Sequence, residues 1–423
     1  MNFGLGHVTT ARRPMPRGIH DEGPAILSYG FRPFFLGAGV FAVVAMSLWI
    51  GALTEGWAIG GSYGPLEWHA HEMLFGFAAA AMTGFLMTAI PNWTGRLPVA
   101  GLPLLALFLL WVAGRIVMLA PGALGDVPSA IVDASFLPAI GAVAAREILA
   151  GKNWKNLKIL IVIAGLATAN IAYHVVVQQG GDPIVVLRGT IAAFVILIAL
   201  VGGRIVPSFT RNWLVKAGES KLPHPAGRMD RLAMLTLLPA LLLWGLLPEG
   251  APTAVVAALA ALLQAIRLWR WRGWATLDEP LLGILHLAYS FLPIGLVAIA
   301  MAAMGWASAP SVLHVLTVGA IGNMTLAVMT RASLAHTGRP LTASWTTALS
   351  YLALLLAAVC RPFAEMVPQY YHVILAVSGA AWIAGFCCFV AEYGPILVTR
   401  KLSPTRPAGR ATQPAHALRE PTP

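Results

Sequence analysis

Two histidines and a carboxylate stand together in Trp68-His69-Ala70-His71-Glu72-Met73, at the head of an apolar run. Imidazole and carboxylate are costly inside a bilayer and are rare there unless they serve a site. Residues two apart on a helix point about 200° from one another. His69 and His71 therefore face different neighbours. That arrangement suits two separate centres, or one ligand and one supporting partner, better than a single metal held by both.

Other chemistry-bearing residues share the apolar segments: His174, His286, His314 and His372, with Glu67, Glu72 and Asp133 as sparse acids. Neutral imidazole ligates haem iron and copper, and helical bundles build such sites from side chains on facing helices. His69, His71 and His314 are the leading ligand candidates, and His174 and His286 are further metal candidates. Glu72 and Asp133 are candidates for delivering protons to a reducible centre. Each has a plainer reading. His69 suits an interfacial place beside Trp68, His286 a satisfied core position, and His372, after Tyr370 and Tyr371, an aromatic interface. Glu72 also suits a helix N-terminal charge, and Asp133 a polar pair within the bundle. A dense polar set (Asn92, Arg96, Arg204, Ser208, Arg211, Asn212, Asn323, Arg331, Arg339) marks the other ends of these helices. There Arg204 and Arg331 would clamp the propionates of a haem or anionic head groups, or serve as snorkelling anchors.

The elements that must position these residues are membrane helices. The chain has 423 residues, is 58% hydrophobic and only 11% charged, against about 25% charged in soluble domains. Its three cysteines, Cys360, Cys387 and Cys388, lie in apolar runs with no zinc or disulfide spacing. No cleavable leader is expected in the polar first 28 residues. Twelve segments are long enough to span about 30 Å of hydrocarbon. They run near 33–53, 67–90, 101–120, 127–150, 156–179, 184–206, 229–248, 252–271, 280–304, 309–331, 342–361 and 370–398. With both termini on one side, that side collects 25 of the 28 Lys and Arg residues, so both termini are expected to be cytoplasmic. The net charge of +11 is then a topology signal and not a nucleic-acid surface. On this topology five of the six embedded histidines occupy the outer half, His286 being the exception. The organisation reads as a cytoplasmic segment 1–28, a membrane domain 29–400 and a disordered cytoplasmic tail 401–423.

An internal echo runs through the chain. Helices 2, 6 and 10 end in related polar clusters, Pro91-Asn92-Trp93-Thr94-Gly95-Arg96, Pro207-Ser208-Phe209-Thr210-Arg211-Asn212-Trp213 and Thr330-Arg331-Ala332-Ser333. His71 precedes Thr94-Gly95-Arg96 by 23 positions, and His314 precedes Thr337-Gly338-Arg339 by the same 23. Duplicated four-helix units would leave such a trace, and so would chance.

Several blocks carry a family likeness: Tyr29-Gly30-Phe31-Arg32-Pro33-Phe34-Phe35, the segment 68–73, Gly202-Gly203-Arg204 with Pro207-Ser208-Phe209-Thr210, and His314-Val315-Leu316-Thr317-Val318-Gly319-Ala320 running to Ser333. In this order, over about residues 28–400, the chain resembles the NnrS family. The resemblance implies a bacterial inner-membrane protein containing haem (b-type) and copper, linked to nitric oxide and nitrosative stress. The ligand candidates above come from depth and helix position, not from the family. The architecture is also similar to the catalytic subunit of haem–copper oxidases and nitric oxide reductases. It departs from them in placing His-x-His on helix 2 rather than helix 10, and in having no histidine on helices 6 and 7.

Two functions are therefore expected as alternatives. One is an oxidoreductase that reduces or scavenges nitric oxide, drawing electrons from a quinol or small carrier. The other is a non-enzymatic transporter or sensor for copper, haem or an NO-derived species. No nucleic-acid partner is expected.

Overall fold

A computed structural model describes residues 23–401. The expectations for residues 1–22 and for the tail beyond 401, including His7, His20 and His416, fall outside the described residues. All regular structure among the described residues is helical.

Twelve apolar helices are long enough to cross a membrane, and the chain is a multi-pass membrane protein. They are α1 (Phe31–Glu55), α2 (Gly61–Thr94), α3 (Leu102–Leu119), α4 (Asp126–Ala150), α5 (Trp154–Gln178) and α6 (Ile184–Lys216). The second half continues with α7 (Arg228–Leu246), α8 (Ala251–Trp269), α9 (Pro280–Ala303), α10 (Ala309–His336), α11 (Trp345–Met366) and α12 (Pro368–Val398). Mean hydropathies of 1.5 to 2.7 in their best windows leave the backbone no alternative to helix in lipid, where every N–H and C=O must be paired internally.

Successive helices pack as neighbours, and α12 returns to pack on α1. Arg32 fastens this closure by donating to the carbonyls of Leu397 (2.7 Å) and Thr399 (2.6 Å). The start of α1 and the end of α12 therefore lie on one face of the bundle, here called the terminal face. The other is the far face.

α2 is the central helix. Its apolar window is 89% buried, against 61% for α9 and α10 and 28–50% for the other nine. Small residues allow this. A Cβ at Gly84 would stand 2.6 Å from the Phe35 ring, and one at Gly30 would run into Met87. Close backbone approach of this kind is how membrane helices gain contact area without a hydrophobic drive.

Two departures from α-helix matter for function. α2 winds as a π-helix over Glu72–Ala78, directly after His71. α10 does the same over Val315–Gly322, directly after His314. Gly76 and Gly319 occupy matching places in the two segments. Gly95 (φ 71°) and Gly338 (φ 73°) follow the two helices in the left-handed conformation, again at matching distance. The sequence echo between these helices thus has a counterpart in backbone geometry. π-Helical turns are rare and concentrate at functional sites.

α6 is longer than the sequence suggests. The proline at 207 reads as a helix end near 206, but the helix continues to Lys216. An interior proline costs about 3 kcal/mol; packing of α6 against α5, α7, α9 and α10 offsets it.

Candidate metal centre in the far half of the bundle

The far-face end of α2 projects its two histidines into different environments, as their spacing requires. His71 points toward α3, α4 and α5. There His71, Glu72, Asp133, Asn170 and His174 are each 3% exposed or less, and Arg115 is 6% exposed. His71 Nδ1 lies 2.9 Å from Glu72 Oε1, and its Nε2 lies 2.8 Å from Asn170 Oδ1 and 3.2 Å from Asp133 Oδ2. His174 Nε2 donates to the same Asp133 oxygen at 3.0 Å. Its Nδ1 accepts from the Tyr63 hydroxyl at 2.8 Å. Asn170 donates a third bond to Asp133 Oδ2 (2.9 Å). Arg115 spans both acids, donating to Glu72 Oε2 at 2.6 Å and to Asp133 Oδ1.

The charges in this cluster decide its chemistry. Two buried carboxylates face one guanidinium, so one negative charge is left over. Buried charge in lipid must be balanced. A proton on His71 balances it, with the imidazolium donating from both nitrogens. A metal cation does so equally. One ligand atom from each of His71, Asp133 and His174 lies within 4.8 Å of the others. The two Nε2 atoms converge on a single carboxylate oxygen, while Glu72 and Tyr63 hold the two Nδ1 atoms from behind. Metal-binding histidines are held in this way, with the outer nitrogen fixing ring orientation and tautomer.

His69 turns the other way. Its ring stacks on Trp49 with centroids 4.4 Å apart and planes 13° apart. Its Nδ1 is buried and has no hydrogen-bond partner among the described residues. His314 and Arg361 are within electrostatic reach of it. His314 Nδ1 donates to the Pro310 carbonyl at 2.7 Å, which leaves its Nε2 lone pair free. Arg361 is itself paired with Glu365 at 2.9 Å.

The structure thus brings Glu72, Asp133, His71 and His174 into one cluster, and His69 and His314 into a second neighbourhood. It keeps four other residues apart. His286 is on α9 in the terminal half, bonded to Thr210 at 2.8 Å. Arg331 lies seventeen residues beyond His314, roughly 25 Å along the helix, so no single planar cofactor touches both. Its guanidinium sits over the Phe209 ring at 4.6 Å. It lines a cavity of about 980 Å³ with Asn92, Trp93, Asn212 and Lys216, where the ends of α2, α6 and α10 meet. Arg204 instead bonds Asn156 at 3.2 Å. His372 is exposed beside Tyr371.

Sequence reasoning missed Arg115, Asn170 and Tyr63. Arg115 did leave a signal, since it is an arginine in the body of a span. Such a residue requires buried acids, and Glu72 and Asp133 are the acids at its depth.

Compared with known families, the chain matches the one described as NnrS protein over residues 25–401. No curated protein matches it.

Proposed function

The chain belongs to the NnrS family, and we propose that it is a bacterial inner-membrane protein that binds copper and haem and handles nitric oxide, with its terminal face in the cytoplasm. The observation that carries this reading is the convergence of His71 Nε2 and His174 Nε2 on Asp133 Oδ2 inside an apolar bundle.

The donor set suits copper. Imidazole is a copper ligand and nitrogen–oxygen donor sets hold cupric ion, and the cluster lacks positive charge, which a bound cation would supply. The second neighbourhood would hold the haem. His314 has its outer nitrogen fixed by Pro310, and His69 carries an orphaned buried nitrogen. When bound, the two metals would supply one-electron chemistry and a binding site for nitric oxide.

The chain's own residues then have distinct tasks. Tyr63, His174, Asp133, His71 and Glu72 form one hydrogen-bonded series with links of 2.8 to 3.2 Å. Tyr63 also meets the exposed Gln178, which bonds the Asp126 carbonyl, on the far side. This series connects that face to Glu72 and Asp133 and fixes both imidazole rings for the metal. Arg115 bonds both Glu72 and Asp133 and holds them in place. The cluster is fully buried and internally bonded, which favours a resident metal over one in transit, and so favours redox chemistry over transport.

The first test is a count of haem and copper per polypeptide in purified protein, with a Soret band that shifts on adding nitric oxide under dithionite. A colourless, copper-free protein, also after reconstitution, overturns the reading. If the metals are present, nitric oxide consumption driven by a quinol separates an enzyme from a sensor.

Two variants sharpen the site. His314→Ala is expected to lose most of the haem, while His372→Ala keeps it, read from the Soret absorbance per protein. Equal haem in both would remove His314 from the site. Tyr63→Phe is expected to weaken copper binding by about 10-fold, the lower end of the effect of outer partners on metal affinity; competition with a copper chelator measures it.

A further inference from the structure

α8 and α9 enclose a groove of about 920 Å³ whose lining is almost wholly apolar. It begins near Trp269 and Trp274, whose rings meet at 4.2 Å, passes His286 and Pro293, and ends at Met304 and Trp306. From His286 to Met304 it runs roughly 27 Å along the helix. Its lining contains no Lys, Arg, Asp or Glu. Ser290 lines it but spends its hydroxyl on the Leu287 carbonyl.

His286 is the exception in this wall. It is 7% exposed, and its Nδ1 is buried without a hydrogen-bond partner among the described residues. A short chain of bonds assigns the tautomer. Thr210 Oγ1 donates its only hydrogen to the Val206 carbonyl at 2.9 Å. It can therefore only accept from His286, 2.8 Å away, so the ring proton is on Nε2. Nδ1 is left with a lone pair that calls for a donor. The backbone of Gly273 covers it with no side chain, and a Cβ there would stand 2.6 Å from Nδ1.

We propose that this groove binds a quinol, with a ring hydroxyl donating to His286 Nδ1, the ring against the tryptophan pair and the apolar tail along α8 and α9. The headgroup reaches the nitrogen by parting the Gly273–Thr276 turn from the imidazole. A phospholipid headgroup is the wrong chemistry, because its phosphate would meet a lone pair and no cation. The oxidised quinone is also disfavoured, because its carbonyl is an acceptor facing an acceptor. An unmatched buried pair of this kind costs enough to give about a 10-fold preference for the reduced form. The proposal names the electron donor of the redox reading above and rests on that reading only for the use made of the electrons.

The test uses the full-length protein in nanodiscs with a short-chain ubiquinol and the matching ubiquinone, binding being followed by tryptophan quenching. Wild type is expected to hold the quinol about 10-fold more tightly. His286→Leu is expected to weaken the quinol and abolish the preference. Thr210→Val frees the ring to carry its proton on Nδ1, so it is expected to raise quinone binding to the level of quinol. Thr210 is a positioning residue, and a merely structural role would not exchange one preference for another. Equal binding of both forms by wild type overturns the proposal, as does an unchanged preference in either variant. The metal count is independent of this assay. A metal-free protein that prefers quinol sinks the redox reading alone, and a metalloprotein blind to quinol sinks this one alone.

Discussion

Arg115→Met is expected to destabilise the protein by about 3–5 kcal/mol, the usual effect of removing one partner from a buried ion cluster. The guanidinium bonds both Glu72 and Asp133, and its loss leaves two carboxylates, each 1% exposed or less, with one balancing proton between them. Methionine is close in volume and keeps the packing beside Phe41 and Gly76, so the loss reports charge. Arg115→Met combined with Glu72→Gln restores the balance and is expected to recover most of the stability. Thermal unfolding of the three proteins in one detergent measures this. A single variant as stable as wild type would show that the cluster is not held by its charges.

His174→Ala is expected to weaken copper binding by more than about 100-fold, since loss of an outer partner alone costs up to that much and this residue supplies one of three ligand atoms. Haem content should stay at the wild-type level, because His69 and His314 belong to the other neighbourhood. Metal analysis beside the Soret absorbance reads both at once. Copper retained in full would remove the cluster from the assignment. Both metals lost together would mean that the two neighbourhoods form one site.

The parts of this arrangement legible in the sequence are those set by hydropathy and helical period. The twelve spans follow from composition alone. The divergence of His69 from His71 follows from their spacing, and the kinship of α2 with α10 shows in the shared interval to Thr94 and Thr337. What stayed hidden was rotation. Apolar spans such as α5 carry little sidedness, so nothing in the sequence says that His174 turns toward His71 while His314 turns toward His69. The π-helical turns after His71 and His314 break the 3.6-residue period where facing must be known. Proline gave a false boundary at 207 because a helix held by four neighbours tolerates a break that an isolated one does not. Asn170 carries no charge and no motif. Only its bonds to His71 and Asp133 identify it.

The arginine of α3 also constrains how the protein is made. An arginine at the centre of a span opposes membrane insertion by about 2.5–3.5 kcal/mol, and Arg115, toward the far end of α3, carries part of that cost. When α3 leaves the ribosome, Glu72 on the preceding helix has already been synthesised, and Asp133 follows on the next one. Pairing with both acids removes that cost, so α3 gains stability as a member of a group. Helices α2 to α4 together supply the arginine and both acids, so the ion pairs are complete once α4 is in place. With Asn170 and His174 on α5, every charged and polar partner of the cluster comes from the first half of the chain, so it can close before the later helices are made.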